Sequence, residues 1–295
     1  MGPQKTLHLN GPIPGLARSI GARDDEDHRT NQVSFDFQDE SSAFDQFRVI
    51  MGISSIASAL FAHSPISLGK PNGFLTRRVY VWQDTDPDRS GLLLDFLNGG
   101  RSFRDYVEYL LEMPMIFIVR GPKWIAMDGV SFRKFLREGK DAFRATWGDF
   151  ELHLSTAFPE ARFKQYLEIR GVDAQPFGLI PCVSAFWKGI VYDEEIRKKV
   201  WDVVSPFTPA ERLEFHRQVP QKGLKAFLGK TPALELAREI TRLSKEGLRR
   251  QTGSAGTDES FYLERLEDEI LKPGRTPAET LLERWAKGRH ENLRL

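Results

Sequence analysis

Cysteine is nearly absent from this chain, since Cys182 is the only one among 295 residues. A single thiol excludes an intrachain disulfide and a cysteine-based metal cage, and it favours a reducing compartment. We therefore expect a cytoplasmic protein. Long apolar runs are missing too, because none approaches the roughly 20 residues of a membrane helix. The net charge is only +1, so bulk electrostatics predicts neither nucleic-acid nor membrane partners.

Compact catalytic motifs are missing as well. The sequence has no Gly-x-x-x-x-Gly-Lys loop, no His-Glu-x-x-His pair and no nucleophile elbow, which disfavours P-loop and hydrolase chemistry. The first residues lack the apolar core of a signal peptide, and the acidic run at 24–28 is atypical of a transit peptide.

What is present is an ordinary globular composition, 40% hydrophobic and 28% charged. Hydrophobic patterning changes along the chain and predicts an α+β protein. We expect a loosely structured segment at 1–28, a sheet-containing, catalytic-like part at 29–180 and a helical part of the same fold at 181–295.

Helices are marked by apolar stripes and capping residues. A long helix is predicted over 41–62, capped by Ser41 or Ser42, with one apolar stripe and one side of small residues. Three later helices are predicted to begin with a Thr-Pro pair, at Thr208, Thr231 and Thr276. Cys182 is expected to be a buried small hydrophobe, and His63 to be structural.

Three predicted strands share one pattern, an apolar face opposite a face of specific polar groups. They are 31–37, with Gln32, Ser34 and Asp36; 74–82, with Thr76, Arg78, Tyr80 and Trp82; and 162–171, with Arg162, Lys164, Tyr166, Glu168 and Arg170. One interpretation of this pattern is a solvated sheet face. The other is a binding cup, because arginine forks bind carboxylates and phosphates, and Glu and Gln oxygens suit Mg²⁺.

Longer stretches resemble a known family. The run "SALFAHSPISLGKPNGFLTRRVYVWQDTDPDRSG", followed by "FPEARFKQYLEIRGVD", "AFWKGIVYD" and "GRTPAETLLERW", resembles the plant and proteobacterial type of glutamate–cysteine ligase. The similarity runs in order from about residue 29 to about residue 288. This family joins glutamate to cysteine with ATP, on a fold similar to glutamine synthetase.

The resemblance implies a curved antiparallel sheet, here incomplete, with surrounding helices and a helical C-terminal part. It implies an ATP-dependent carboxylate–amine ligase that forms a γ-glutamyl amide through an acyl phosphate, with ATP and Mg²⁺ as cofactors and glutamate and cysteine as substrates. The implied site residues are catalytic Arg170 and Glu168, substrate-binding Arg78, Trp82 and Tyr80, and metal-binding Glu168 and Gln32. We expect Arg78, Glu168 and Arg170 to converge on one concave sheet face.

The sequence also departs from the family. Ser34, Ser54, His63 and Tyr80 replace residues typical of it, which leaves the amine substrate open. The family's N-terminal Glu-x-Glu strand, which binds the metals, has no counterpart in 1–28. We therefore predict that the chain lacks the metal-binding half and works with a complementing subunit or as a homo-oligomer. The alternatives are a non-catalytic binding or regulatory relative, and a ligase that uses an amine other than cysteine.

A missing half should leave apolar surface exposed. The predicted places are the apolar face of strand 31–37 and the small-residue side of helix 41–62.

Overall fold

A computed structural model of the chain describes residues 30–252 and 256–288. Its helices are α1 Glu40–Leu60, α2 Arg77–Thr85, α3 Phe103–Glu112, α4 Phe132–Glu138, α5 Trp147–Ser155, α6 Ile180–Val191, α7 Glu194–Val204, α8 Pro209–Lys222, α9 Ala233–Gln251, α10 Glu264–Leu266 and α11 Pro277–Ala286. Short 3₁₀ turns at 94–97, 177–179, 223–225 and 259–263, and a π-helical turn at 267–271, complete the helical part.

The strands of the described residues are short. They are β1 Val33–Phe35, β2 Ile66–Ser67, β3 Lys70–Pro71, β4 Ser90–Gly91, β5 Phe117–Arg120, β6 Lys123–Ala126, β7 Phe158–Pro159, β8 Ala161–Phe163, β9 Leu167–Ile169, β10 Phe227–Leu228 and β11 Thr231–Pro232. One sheet has three strands in the order β1-β9-β8, and the others are two-stranded. This mixture confirms the coarse α+β prediction. A glutamine-synthetase-like cup remains a prediction, because none of these sheets closes or forms a broad surface.

The stretch 162–171 is a hairpin rather than the single strand that was predicted. β8 and β9 pair antiparallel, with Arg162 opposite Glu168, and the chain bends between them at 164–166. β1 adds to the other side of β9, with Ser34 opposite Glu168. Directly opposed residues share a sheet face, so the side chains of Ser34, Arg162 and Glu168 still lie on one face.

The apolar face of this sheet packs on α1. Phe35, Leu167 and Ile169 are buried in the main core, and Phe163 stacks on Phe47 with ring centroids 4.8 Å apart. Burial of these side chains is what fixes the register of the short strands, because a one-residue slip would turn them to the opposite face.

Helix α1 is buried on nearly all sides. Its cap is Asp39, which accepts a hydrogen bond from the Ser42 amide in a capping box, so the predicted Ser41 or Ser42 cap is off by a few residues. The small side of the helix is covered as well, since Ser55, Ala57 and Ser58 are buried. The prediction of exposed surface there is wrong, and so is the prediction for Phe35, which is 5% exposed.

The predicted strand 74–82 is also wrong, because most of it is helix α2. The Thr76 hydroxyl caps this helix by accepting from the Val79 amide. Alternating side chains over so short a stretch do not distinguish a strand from a helix when a capping residue precedes them. In a helix, Arg78 and Trp82 share a face because they are four residues apart, whereas Tyr80 points elsewhere.

The later part is helical apart from one small hairpin, β10–β11. Thr208 and Thr276 cap α8 and α11 in capping boxes with Glu211 and Glu279, as predicted. Thr231 is not a cap, since it lies in β11 and α9 starts after Pro232 without a side-chain cap. Cys182 is a free, buried thiol within the main core, as predicted. Within the part of the chain that the structure covers, no helix is long and apolar enough to span a membrane.

Candidate functional site

Two rows of polar residues cross the three-stranded sheet. The pairing places Ser34, Glu168 and Arg162 side by side. The register continues into a second row, since the Arg170 amide donates to the Glu160 carbonyl at 2.9 Å. Gln32 is exposed and lies outside the paired residues Val33–Phe35 of β1. Glu168 and Arg170 share the face on which the sequence placed them.

Three cations surround Glu168. Its carboxylate accepts from Arg162 Nε at 2.6 Å, from Lys164 Nζ at 2.8 Å and from an Arg170 Nη at 3.1 Å. Burial disfavours the charged carboxylate, but the hydrogen bonds from Lys164 and Arg162 outweigh it and lower the pKa of Glu168 to about 2. Glu168 is therefore ionised at neutral pH, and its carboxylate holds three cationic side chains in place.

Arg78 lies in the first turn of α2 with a buried side chain, 3% exposed. Its guanidinium donates no hydrogen bond to any residue of the described ranges, and one of its Nη atoms is fully enclosed. Burial lowers the pKa of Arg78, and the nearby carboxylates of Glu160 and Asp173 oppose that effect. A buried cation without a partner is costly, which makes this position a candidate binding site for an anion.

Asp173 holds the start of α2 in position. It accepts from the His63 amide at 2.7 Å, the Ser64 hydroxyl at 2.9 Å and the Thr76 hydroxyl at 3.0 Å. Burial raises the pKa of Asp173 despite these bonds. His63 is structural, as predicted, since its Nδ1 lies 2.8 Å from the Ala174 carbonyl oxygen.

Arg78 and Trp82 are each related to Arg170, but through different interactions. Arg78 lies close enough to Arg170 to lower the pKa of Arg170, although burial and Arg162 have larger effects. Phe158 connects the other two, because the Arg170 guanidinium lies 5.5 Å from its ring and the Trp82 ring lies 5.1 Å away. The prediction that all three residues lie on one sheet face is wrong for Arg78, which lies on helix α2, and a shared site with Glu168 and Arg170 remains a prediction.

Tyr80 stands apart from this group. It stacks on Phe74 with ring centroids 4.2 Å apart, and 40% of the residue is exposed. The strand pattern that placed Tyr80 beside Arg78 does not hold, so a substrate contact by Tyr80 remains a prediction without geometric support.

These positions give a first testable difference. For the glutamate substrate that the resemblance implies, replacing Trp82 with leucine should weaken binding by roughly tenfold, because the ring that packs on Phe158 beside Arg170 is lost. The matched change of Tyr80 to leucine should leave the dissociation constant within about twofold. Titration calorimetry measures both, and a larger effect at Tyr80 would show that the exposed face of α2 is the binding face.

Glu160 is a site residue that the sequence patterns did not reveal. It is 5% exposed, its side chain bonds to nothing in the described structure, and its Oε2 is fully enclosed. Glu160 lies two residues before Arg162 in the same alternation, so extending the pattern backwards from Arg162 would have found it.

Gly171 makes room for the Glu160 carboxylate. A Cβ at this position would lie 2.2 Å from Oε2 of Glu160 and 3.2 Å from the Ser58 hydroxyl. Replacing Gly171 with alanine should therefore lower the free energy of unfolding by about 1–3 kcal/mol. The control is Gly148 in α5, where a Cβ would lie 3.9 Å from its nearest neighbour, the Thr146 hydroxyl, and alanine should stabilise by about 0.5–1 kcal/mol. Urea unfolding tests both, and equal effects would contradict the close packing.

His216 is the second residue that the sequence did not reveal. It is buried in α8, and its Nδ1 lies 2.9 Å from the Ser55 hydroxyl of α1. Burial lowers the pKa of His216, while nearby Glu160 opposes the shift. A neutral imidazole therefore lies beside the Glu160 carboxylate.

The described residues do not fit a Mg²⁺ site by themselves. Among them there is no group of three or more His, Cys, Asp or Glu side chains with the spacing of a metal site. Cations already donate hydrogen bonds to both Glu168 oxygens, and Gln32 lies outside the paired residues of β1. Mg²⁺ on a phosphate substrate usually takes one or two protein carboxylates, and the predicted one is engaged here.

A second basic feature lies on the surface of α9. This groove is lined by Arg242, Lys245, Glu246, Arg249 and Arg250. Each of its cations forms an ion pair, for example Lys245 with Glu267 at 2.6 Å. Paired, exposed charges of this kind are common on protein surfaces, so the groove is a weaker candidate than Arg78.

Known proteins are similar to the part of the chain that contains these residues. A sequence model described as glutamate-cysteine ligase family 2 matches residues 29–294. The chain is 39% identical over 259 residues to the chloroplastic glutamate–cysteine ligase of Brassica juncea, covering 87% of this chain and 49% of that protein. It is 39% identical to the Arabidopsis thaliana protein, with the same coverage. It is 41% identical to glutamate–cysteine ligase B of Oryza sativa subsp. japonica, covering 86% of this chain and 51% of that protein.

These matches confirm the resemblance that was read from the sequence motifs. The chain spans about half the length of the curated relatives that it matches. The prediction of a cytoplasmic protein is wrong, because those relatives are named chloroplastic. A lone cysteine indicates a reducing environment but does not distinguish one reducing compartment from another.

Proposed function

Because this chain belongs to glutamate–cysteine ligase family 2, we propose that it provides the cation-rich side of an ATP-dependent ligase site that joins glutamate to cysteine. The observation that carries this proposal is the buried Arg78 guanidinium, which has no hydrogen-bond partner in the described ranges. An anionic substrate would satisfy it, and glutamate is the anionic substrate named for the relatives. The names of the relatives support a plastid as the compartment.

The proposed chemistry has two steps. A γ-carboxylate oxygen of glutamate attacks the terminal phosphorus of ATP, the bond to the bridging oxygen breaks, and ADP leaves. The cysteine nitrogen then attacks the acyl carbon, inorganic phosphate leaves, and the amine gives up a proton. Activation is needed because a carboxylate resists attack by an amine, whereas an acyl phosphate has a good leaving group.

The fixed positions of Arg170 and Arg162 support a role in phosphoryl transfer. Glu168 holds both guanidinium groups by hydrogen bonds of 3.1 and 2.6 Å, so their charges need no rearrangement when charge builds up on the transferring phosphoryl group. Phe158 also restrains Arg170 from the side of its ring. In this proposal Arg170 contacts the phosphoryl oxygens, and Glu168 keeps it oriented.

Mg²⁺ would neutralise phosphate charge in such a reaction. Because three cations already engage Glu168, the carboxylates that would hold Mg²⁺ come from outside the described residues. We therefore propose a complementing subunit or a second copy of the chain as their source.

A non-catalytic relative is the second candidate, and one observation favours it. The three cations on Glu168 leave that carboxylate without a free oxygen for a metal. This is the state expected of a protein that binds anions but does not catalyse phosphoryl transfer. A ligase for another amine has less support, because Ser54 bonds within α1 to the Ile50 carbonyl at 2.7 Å and His63 is structural.

Two measurements on the purified chain test the proposal. Titration calorimetry should show glutamate binding, while ADP release from ATP and Mg²⁺ with glutamate and cysteine should be absent from the chain alone. Glutamate-dependent ADP release by the chain alone, abolished by Glu168→Gln, would show that its own residues hold the metals. No binding of glutamate would refute the proposed site.

A further inference from the structure

Arg78 and Glu160 form an unusual pair. Both side chains are at least nine-tenths buried, at 3% and 5% exposure, and Glu160 is the first carboxylate that acts on the Arg78 charge. Yet they form no ion pair with each other, and each keeps an enclosed polar atom without a partner anywhere in the described ranges.

The neighbouring polar groups do not compensate for this. Three hydrogen bonds already occupy Asp173, and the Ser55 hydroxyl takes the Nδ1 of His216. Opposite charges that are buried close together usually pair directly, because unpaired burial costs several kcal/mol for each ion. A separated pair is stable when a molecule between them carries the complementary charges.

We propose that Arg78 and Glu160 recognise the two charges on the α-carbon of an amino-acid substrate. Arg78 donates to the α-carboxylate, and Glu160 accepts from the α-ammonium group. The inference rests on the proposed function, since it concerns the glutamate substrate of that site. It adds that Glu160 is a specificity residue, because it selects an α-amino acid over a dicarboxylate without an amino group.

The geometry around Glu160 supports this role. Gly171 has no side chain, and a Cβ there would collide with Glu160 Oε2, so the glycine leaves the space that the buried carboxylate occupies. His216 is held neutral by burial and does not supply a competing positive charge. The ammonium of a substrate is then the cation that Glu160 lacks.

The test measures binding of glutamate, glutarate and 4-aminobutyrate by calorimetry. Glutarate lacks the ammonium group, and 4-aminobutyrate lacks the α-carboxylate. Glu160→Gln should weaken glutamate and 4-aminobutyrate by at least tenfold and leave glutarate within twofold. Arg78→Met should weaken glutamate and glutarate and spare 4-aminobutyrate. Glu214→Gln on the surface of α8 is the control and should change none of the three.

The possible failures are distinguishable. Equal weakening of all three ligands by Glu160→Gln, or a change in none, would overturn the role of Glu160 while the proposed function stands. No binding of glutamate by the wild-type chain would overturn the proposed function and this inference with it. Thermal melting of Glu160→Gln verifies folding, and Glu160→Asp, which keeps the charge on a shorter side chain, should retain the preference for glutamate over glutarate if Gln fails to fold.

Discussion

Replacing Arg78 with methionine is expected to weaken glutamate binding by at least about 100-fold, a loss of about 2.7 kcal/mol. Two hydrogen bonds from a buried guanidinium to a carboxylate account for a loss of this size. The free energy of unfolding should stay level or rise. Burial is the largest influence on the Arg78 charge and opposes it, and methionine removes that charge while filling a similar volume.

Calorimetry and urea unfolding together test this expectation. Arg217→Met is the matched control, because Arg217 is an exposed cation of α8 that forms only a loose pair with Glu214, and neither quantity should change. A drop in stability with unchanged affinity would show that Arg78 is a structural residue and would remove the main support for the site.

Replacing Glu168 with glutamine should have the largest effect on stability. The change leaves the half-buried Arg162 and the buried Arg170 without their counter-charge, and the loss of a buried partner costs about 3–5 kcal/mol. Lys164 adds little to this figure because its side chain is 40% exposed. For a chain of this size the melting temperature should fall by roughly 10 °C, which differential scanning calorimetry can measure.

The effect depends on pH. The pKa of Glu168 is lowered from 4.5 to about 2 in the folded chain, so its contribution is fully present above pH 4.5 and is lost as the pH falls towards 2. The stability difference between wild type and Glu168→Gln should therefore shrink over that window. The control is Glu239→Gln, which breaks a surface pair with Arg242 and should cost less than about 1 kcal/mol. A difference that grows on acidification would contradict the assigned charge state.

The shared face of Arg162 and Glu168 was predicted correctly, although the single strand predicted for them was wrong. Arg162 and Glu168 were assigned to one strand and lie on two, but antiparallel pairing sets them opposite each other. Alternate residues of one strand share a sheet face, and so do directly opposed residues of two paired strands. The turn at 164–166 therefore leaves Arg162 and Glu168 on the same face.

The same reasoning failed for Arg78, Tyr80 and Trp82. Alternation over 74–82 fits a strand, but the Thr76 cap and tertiary packing select helix α2, which separates Tyr80 from the other two. Nothing local in the sequence reveals that Glu160 lies near both Arg78 and His216, because these three residues come from the flank of the sheet, α2 and α8 and are brought together only by tertiary packing.

A crystal structure of the chain grown with glutamate, Mg²⁺ and a non-hydrolysable ATP analogue would locate both ligands. We expect glutamate density with a carboxylate on Arg78 and phosphate density beside Arg170. Glutamate or nucleotide bound only in the α9 groove, with Arg78 buried and untouched, would contradict this expectation.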